Sequence, residues 1–346
     1  MQHFCTYFDI NYLSRGLALY TSLREHSGPF ALHVLCMDEA AFTSISELGL
    51  PGLIPIALSD LERADPGLLE AKSNRSRIEY YFTCTAALPL YIMRQRQDAK
   101  LVTYLDADLF FFASPDPLFD ELGTGSVAIV GHRFPPSLKD REKYGLYNVG
   151  WLSFRRDSYG LACLEWWRAR CIEWCYDRVE EGRFADQKYL DDWPTRFPGV
   201  VTLSHPGANL APWNIENHSL SFDSSRMMVD GKPLIFFHFH GLKQIGRWLY
   251  DPGWKEYGVN PSRTLHKWIY LPYIRVLRQV GRSIRGRTRS LPAGVRRIYS
   301  EDTSGSGLGR IRSCVRQLRD KATEISRGSL ILCFADRSDA TINDLA

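Results

Sequence analysis

The chain of 346 residues is long enough for one large domain with an appendage, or for two domains. With 45% hydrophobic and 13% aromatic residues it can bury a substantial core, which excludes disorder as the default state. The net charge of +4 is modest, but residues 257–300 hold ten Lys or Arg and neither Asp nor Glu. That uneven charge indicates an anionic surface partner for this part of the chain.

Strand and helix patterns alternate over the first hundred residues. Apolar runs at 3–8, 31–36 and 52–57 predict three strands, and a helix is predicted between the first two. A long apolar pattern at 79–96 predicts another helix, which leads into a strand at 101–105. This alternation predicts an α/β fold with a mainly parallel central sheet and right-handed crossovers.

Three basic residues precede the helix at 79–96. Lys72, Arg75 and Arg77 lie within six positions of one another. They could form a solvated loop, or at least one of them could reach a phosphate group, since Lys and Arg are strong phosphate ligands. The sequence leaves both interpretations open.

Two carboxylates follow the predicted strand at 101–105. Asp106 and Asp108 flank Ala107, and a run of Leu and three Phe comes directly after them. Ligands bind at strand ends in open α/β sheets, and side chains at i and i+2 of an extended segment point to the same side. Both acids could then reach one hard cation that also carries phosphate oxygens. An isolated pair would suggest a solvated turn, but here uncompensated charge beside so much apolar surface would be costly.

Polar groups also stand at the ends of later elements. Asn148 and Gly150 begin a predicted strand at 147–154, and the glycine would permit close approach of a ligand or a second backbone. Asp186 and Gln187 stand at the start of a predicted helical turn. Between these pairs, the aromatic pattern over 161–180 is typical of a buried helix.

The last predicted strand, at 233–243, carries two histidines. His238 and His240 would fall on one face of an extended segment. They could be hydrogen-bonded core residues or ligands of a metal or phosphate. The sequence does not separate these alternatives.

In their order along the chain, these segments resemble glycosyltransferase family eight, which includes glycogenin and has the GT-A fold. Asp106-Ala107-Asp108 resembles the D-x-D motif of the GT-A glycosyltransferases, and the similarity spans about residues 3–250. One D-x-D would be weak evidence, whereas several further segments in the same order are specific. Those further segments are Asp9 with Tyr12, Asn148 with Gly150, Asp186 with Gln187, the loop at 209–214, and His238 with Gly241.

The resemblance implies a metal site, a donor site and a sugar site. Mn²⁺ or Mg²⁺ would be held by Asp106, Asp108 and His238, with His240 as the alternative to His238. Asn148, Asp186 and Gln187 would contact the sugar ring. The donor nucleotide would be bound by Thr6, Phe8, Asp9, Tyr12, Arg77, Asp106, Ala107, Asp108 and Lys243. The chain departs from the family pattern at Lys243, which follows Gly241 by two residues instead of three.

The chemistry of such a site follows from charge. Breaking a sugar–phosphate bond develops positive charge on the sugar and negative charge on the leaving diphosphate, so a dication and a basic side chain stabilise the transition state. The resemblance implies retention of configuration, with Asp186 or Gln187 stabilising the oxocarbenium-like centre or positioning the acceptor. An inverting reaction would need a carboxylate base at the acceptor hydroxyl, and Asp186 is the candidate.

The composition changes near residue 251, and we predict a catalytic domain at 1–250 and a basic extension at 251–346. Arginines recur there at steps of three and four, as one stripe on a helix: Arg275, Arg278, Arg282, Arg285 and Arg289. The stripe is either a solvated face or a surface for an anionic membrane. No nucleic-acid partner is expected, since no recognition fold accompanies the basic run. A loosely ordered stretch is predicted from residue 303, and a short strand at 330–334.

Together these patterns predict a metal-dependent transfer of sugar from a nucleoside-diphosphate sugar, with a UDP-sugar favoured, to a glycan or lipid-linked glycan. The expected setting is envelope polysaccharide synthesis in the cytoplasm, at the inner face of the membrane, because no leader or spanning run is apparent. Eight cysteines without a C-x-x-C pair are typical of a reduced cytosolic protein. Two alternatives are a non-catalytic nucleotide-sugar or glycan binder docked by its basic tail, and a metal-dependent phosphohydrolase.

Overall fold

Strands and helices alternate from the first residues onward. The structure is a computed structural model that describes residues 1–223, 225–246, 248–287, 324 and 328–333, with the backbone alone at 285–287. The strands are β1 (Gln2–Phe8), β2 (Phe30–Cys36), β3 (Leu53–Ala57), β4 (Leu101–Leu105), β5 (Leu109–Phe111), β6 (Val127–Gly131), β7 (Tyr147–Arg155), β8 (Val200–Leu203), β9 (Leu220–Asp223), β10 (Arg226–Val229), β11 (Lys232–Pro233), β12 (Phe236–His238), β13 (Lys243–Gln244), β14 (Leu249–Asp251) and β15 (Ile331–Leu332).

The helices lie between these strands. They are α1 (Leu13–His26), α2 (Glu39–Leu48), α3 (Leu58–Ala64), α4 (Gly67–Lys72), α5 (Arg77–Gln95), α6 (Asp116–Leu122), α7 (Ser158–Glu173), α8 (Trp193–Arg196), α9 (Trp254–Tyr257) and α10 (Leu271–Arg287). Shorter 3-10 segments cover Ile10–Tyr12, Pro136–Tyr144, Lys188–Asp192 and Ile215–Asn217, and a π-helical stretch, Leu265–Tyr270, leads into α10. Within the described ranges, none of these helices is both long and apolar enough to cross a bilayer.

Side-chain caps fix where several of the helices begin. At α5, Ser76 accepts a hydrogen bond from the backbone N–H of Glu79, while the Glu79 carboxylate accepts one from the backbone N–H of Ser76. This reciprocal capping box satisfies two N–H groups that have no partner inside the helix. Asp38 caps α2 and Asp157 caps α7 in the simpler way, through one carboxylate oxygen each.

The central sheet confirms the prediction of a mainly parallel α/β core. Its strand order is β3-β2-β1-β4-β7-β6-β8. Strands β3, β2, β1 and β4 are parallel to one another. Strand β7 runs antiparallel to both β4 and β6, and β8 is parallel to β6. The first four strands therefore end at the same edge, and β7 begins at that edge.

Alternate side chains of the strands face two separate hydrophobic layers. On one face, Phe154 packs with Trp167 of α7 and with Trp193. On the other face, Trp151 of the same strand packs with side chains from β1 and α6. This alternation is the period-two geometry of an extended strand buried on both sides.

The chain leaves the sheet after β4 and makes a turn before β5. The backbone N–H of Asp106 donates to the Gly150 carbonyl at 3.1 Å, and that of Leu109 donates to the Asp106 carbonyl at 3.2 Å. Strand β5 then pairs antiparallel with β12, so that Leu109 lies opposite His238. The acidic pair thus belongs to a turn, and the expectation that it lies on an extended segment is wrong.

Residues beyond 250 pack against the rest of the chain. Helix α10 contacts α1, and its Tyr273 stacks on Phe239 and lies 5.4 Å from Phe110, measured between ring centres. The predicted strand near 330 is present as β15, which pairs with β14. Whether 1–250 folds as a separate domain stays a prediction, and Arg289 and the stretch at 303–323 lie outside the described residues.

Trp151 joins the sheet to the β5–β12 pair. Its ring is fully buried, stacks on Phe236 at 5.6 Å and lies 6.3 Å from Phe111. We expect Trp151→Ala to lower the free energy of unfolding by about 3–5 kcal/mol, because it leaves a large cavity. Urea denaturation measures this change, with the half-exposed Tyr159→Ala as the matched aromatic control. A loss below about 1 kcal/mol would contradict the packing role of Trp151.

Candidate active site

Three side chains that could hold a metal ion converge at the end of β4. Asp106, Asp108 and His238 each offer a ligand atom, and these atoms all lie within 4.8 Å of one another. The Nε2 atom of His238 is 3.1 Å from Asp108 Oδ1 and 3.7 Å from Asp106 Oδ2. The turn after β4 supplies both acids, and the β5–β12 pairing brings His238 beside them.

The charges of this cluster act strongly on one another. Burial raises the pKa of Asp106 above its usual value. Burial would also raise the pKa of Asp108, but the neighbouring His238, with His240 and Arg15 farther off, lowers it well below its usual range. Burial lowers the pKa of His238, yet the two carboxylates outweigh this effect and raise it. The cluster therefore favours a positive charge between the two acids.

Asn148 orients the His238 ring by a hydrogen bond to Nδ1, the nitrogen that does not face the acids. Its Oδ1 atom accepts hydrogen bonds from the Gly150 backbone N–H at 3.0 Å and from His238 Nδ1 at 3.3 Å. Its Nδ2 atom donates to Gln187 Oε1 at 3.2 Å and to His132 Nε2 at 3.3 Å. In the protein alone, the raised pKa of His238 favours a proton on Nε2 as well, facing the acids. If a metal ion replaced that proton, the bond to Asn148 would keep the other proton on Nδ1, which is the tautomer that a metal ligand needs.

Gly150 is required by the close packing of this network. The sequence predicts a ligand or a second backbone near this glycine, whereas the structure places the side chains of Asn148 and His238 there. A Cβ atom at position 150 would lie 2.5 Å from Asn148 Oδ1 and 3.0 Å from His238 Nδ1. His132, by contrast, has no sequence signal beyond its position at the end of β6. Burial lowers its pKa to about 3, so its neutral Nε2 can accept from Asn148.

Asp186 lies in a strained loop at the side of the same cleft. Ala185 adopts a positive φ of 46°, which is unfavourable for a residue with a side chain. The loop is held by the Trp167 indole, whose N–H donates to the Asp186 carbonyl at 2.8 Å. Burial raises the pKa of the Asp186 carboxyl to about 7, although the Thr85 hydroxyl partly offsets this.

Two of the three possible metal ligands and the predicted sugar residues share one cleft of about 650 Å³. Asp106, Asn148, Asp186, Gln187 and His238 all line it. Its outer walls come from segments to which the sequence assigned no site role: Phe134, Arg141, Tyr144, Trp213, Glu256 and Tyr257. Arg141 bridges two of these walls, since its Nη1 atom lies 3.1 Å from Glu256 Oε1. Neither the 3-10 segment at 136–144 nor the short helix α9 has a periodic sequence pattern that could have predicted that the segment lines this cleft.

The predicted donor residues after β1 form a second group. Arg77 donates to Asp9 Oδ2 at 2.6 Å and to the Tyr81 hydroxyl at 2.7 Å. Asp38, at the end of β2, lies 4.0 Å from the same guanidinium. Tyr12 is exposed beside this group. No sequence pattern predicts that Asp38 and Tyr81 contact Arg77, although the parallel pairing of β1 with β2 implies that Asp9 and Asp38 are neighbours.

The remaining predicted donor residues lie in different surroundings. Thr6 is fully buried, and its hydroxyl has no hydrogen-bond partner among the described residues. The Phe8 ring packs on the backbone of Gly16 in the core. Ala107 is buried between the two acids, and Lys243 is exposed in β13. His240 lies beyond the end of β12, outside the three-residue cluster.

Asp186 generates a prediction about pH. Its folded-state pKa of about 7 exceeds the unfolded value near 4, so the folded state retains a proton that the unfolded state loses between these pH values. Stability should therefore fall as pH rises from about 4 to 7, by up to about 4 kcal/mol from this group. We expect Asp186→Asn to flatten that part of the curve in metal-free urea titrations. The exposed Asp140→Asn is the control, and an unchanged slope in Asp186→Asn would contradict the assignment.

Two proteins of Bacillus subtilis are similar to this chain in sequence. No family model matches the chain. It is 33% identical over 280 residues to the uncharacterized protein YfnD of Bacillus subtilis strain 168, covering 80% of this chain and 89% of YfnD. It is 34% identical over 252 residues to YfnF of the same organism, covering 70% of this chain and 82% of YfnF.

A solved structure shows the same fold. It is that of the galactosyltransferase LgtC in complex with donor and acceptor sugar analogs, which superimposes with a TM-score of 0.52 at 18% identity. The match covers 84% of this chain and 98% of LgtC. This chain therefore belongs to one family with YfnD and YfnF, and it has the GT-A glycosyltransferase fold, resembling that of glycosyltransferase family eight.

Proposed function

We propose that this chain is a metal-dependent glycosyltransferase that moves a sugar from a nucleoside-diphosphate sugar to a glycan or lipid-linked glycan. The observation that carries the proposal is the convergence of Asp106, Asp108 and His238 in a GT-A fold, with Asp106 and His238 lining the cleft. A UDP-sugar is the favoured donor, by resemblance to glycosyltransferase family eight. LgtC, with the same fold, was crystallised with donor and acceptor sugar analogs, which supports a sugar donor and a sugar acceptor here.

The ligand set fits Mn²⁺ or Mg²⁺. Two carboxylates and one imidazole are suitable ligands for a hard or borderline dication, and the Asn148 hydrogen bond leaves His238 Nε2 available to it. When bound, such an ion neutralises the negative charge that develops on a leaving diphosphate. Asp106, Asp108 and His238 are the residues that would hold it.

Asp186 and Gln187 would act on the transferred sugar. Gln187 is fixed at both ends of its amide, because Nε2 donates to the Tyr144 carbonyl at 3.0 Å and Oε1 accepts from Asn148. A fixed amide can position a sugar hydroxyl or an acceptor. With retention of configuration, Asp186 would stabilise the positive charge that develops on the sugar, and Asn148 would complete the sugar contacts. With inversion, Asp186 would be the base.

Donor recognition would depend on the residues after β1 and after β12. Asp9 and Tyr12 would bind the nucleotide, together with the backbone near Thr6 and Phe8, while Arg77 and Lys243 would contact phosphate or sugar. Donor binding would then rearrange the Arg77–Asp9 ion pair, since both side chains are engaged with each other at 2.6 Å.

We propose that the basic extension lies on an anionic membrane surface at the cytoplasmic face, where a lipid-linked acceptor in envelope polysaccharide synthesis would be available. Arg275 and Arg282 are exposed on α10, and Lys267 lies over the Trp268 ring at 4.3 Å. Basic and aromatic side chains in this combination suit a membrane interface. Arg278 contributes differently, because its guanidinium stacks on Trp248 at 3.9 Å.

The proposal is tested first by nucleotide binding. We expect one of UDP, GDP, CDP and ADP to raise the melting temperature of the wild type only with Mn²⁺. A ligand at a hundred times its dissociation constant adds about 2.7 kcal/mol. Asp108→Ala should abolish the response, whereas the exposed Asp120→Ala, on the remote helix α6, should retain it. If no diphosphate stabilises the wild type under any metal, the donor site is wrongly assigned.

Product analysis separates the proposed activity from its alternatives. A transferase releases nucleoside diphosphate from the nucleotide sugar in the presence of acceptor. A non-catalytic binder would hold the donor without turnover, and a phosphohydrolase would release inorganic phosphate. The metal cluster alone is compatible with all three, and the GT-A fold favours the first.

Another prediction concerns Gly150, which lies against the side chains of Asn148 and His238. We expect Gly150→Ala to weaken Mn²⁺ binding by about tenfold or more, because the added Cβ displaces Asn148 and the histidine that it orients. Electron paramagnetic resonance of free Mn²⁺ measures this without substrate. Gly28→Ala is the control, since nothing lies within 4 Å of a Cβ atom there. Equal Mn²⁺ affinity in both variants would refute the role of Asn148.

A further inference from the structure

The diphosphate of a donor needs a positively charged side chain besides the metal ion. The acidic pair would repel the diphosphate. Arg77 and Lys243, the two basic residues predicted to contact it, are not well placed to bind it alone. Arg77 is engaged with Asp9 at 2.6 Å and lies 4.0 Å from Asp38. Lys243 is exposed in β13. Another basic residue beside the acidic pair would fill this role.

Arg15, in the first turn of α1, joins the two segments that flank the donor site. Its guanidinium carbon lies 4.4 Å from the centre of the Tyr12 ring, on the segment after β1. Its Nη2 atom donates to the Leu242 carbonyl at 2.7 Å, on the segment that follows His238. The cation–π contact and the hydrogen bond together fix the orientation of the guanidinium plane.

The segment of Leu242, which accepts from Arg15, is tied to the acidic pair by backbone hydrogen bonds. The backbone N–H of Leu242 donates to the Phe239 carbonyl at 3.2 Å, and that of Phe239 donates to the Asp108 carbonyl at 3.0 Å. Two hydrogen-bonded residues, Leu242 and Phe239, therefore connect the Arg15 guanidinium to the backbone of Asp108.

We propose that Arg15 binds the diphosphate of the donor nucleotide opposite the metal ligands. The inference deepens the proposed function and rests on it. A guanidinium offers five N–H donors, of which the Leu242 carbonyl uses one, so the fork can still bind phosphate oxygens. A charge-assisted contact of this kind discriminates between a diphosphate and a monophosphate.

The test compares UDP with UMP, each with Mn²⁺, by isothermal titration calorimetry at two salt concentrations. We expect Arg15→Gln to weaken UDP binding by about tenfold to a hundredfold and UMP binding by a smaller factor. The salt dependence of UDP binding should also decrease. Arg15→Lys should restore part of the loss, and Mn²⁺ binding without nucleotide should not weaken. Arg24→Gln, at the other end of α1, is the matched control.

The outcomes separate this inference from the proposed function. If the wild type binds none of the four diphosphates with metal, the proposed function fails and the role of Arg15 fails with it. If another base binds, its own mono- and diphosphate replace UMP and UDP. If the wild type binds a diphosphate and Arg15→Gln binds it equally well, Arg15 has no such role. Equal weakening of both nucleotides would show that Arg15 only holds the Leu242 segment, and would overturn the proposal.

Discussion

The architecture of the site depends on the concentration of charge at the end of β4. Two carboxylates and one imidazole lie within a few ångströms of one another, beside a cleft lined by both polar and aromatic side chains. Two carboxylates so close together are stable when one of them is protonated or when a positive charge lies between them. His238 supplies part of that charge in the protein alone, and a bound dication would supply the rest. The β5–β12 pair, the Trp151 packing and the Asn148 network all serve to keep these three side chains together.

The orientation and tautomer of the His238 ring are determined by residues that do not contact the proposed ligand atoms. Asn148 accepts from Nδ1 of His238, and its own amide orientation is fixed by His132, Gln187 and the backbone of Gly150. Such neighbouring hydrogen bonds set the tautomer and the direction of a metal-binding ring. The site therefore draws on β6, β7 and the loop near Asp186 as much as on the strands that carry its ligands.

Much of this arrangement could be predicted from sequence because it depends on local patterns. Apolar runs located the parallel strands, and the acids at 106 and 108 stood out against their hydrophobic surroundings. Gly150 signalled close approach. Other features depend on which distant segments meet, and no local pattern encodes that. Arg15 reads as an ordinary helical residue until the segment of Leu242 is seen beside it, and Tyr257 lies beyond the predicted boundary at 250.

The separation of the ligands along the chain has a consequence for how the protein acquires its site. Asp108 precedes His238 by 130 residues, and the two acids meet the histidine only when β12 pairs with β5. During synthesis or refolding, the two acids would thus remain an uncompensated pair until that late, long-range contact forms. Cation affinity should appear as a single late event rather than gradually. The onset of cation affinity would mark the moment at which β12 has paired with β5.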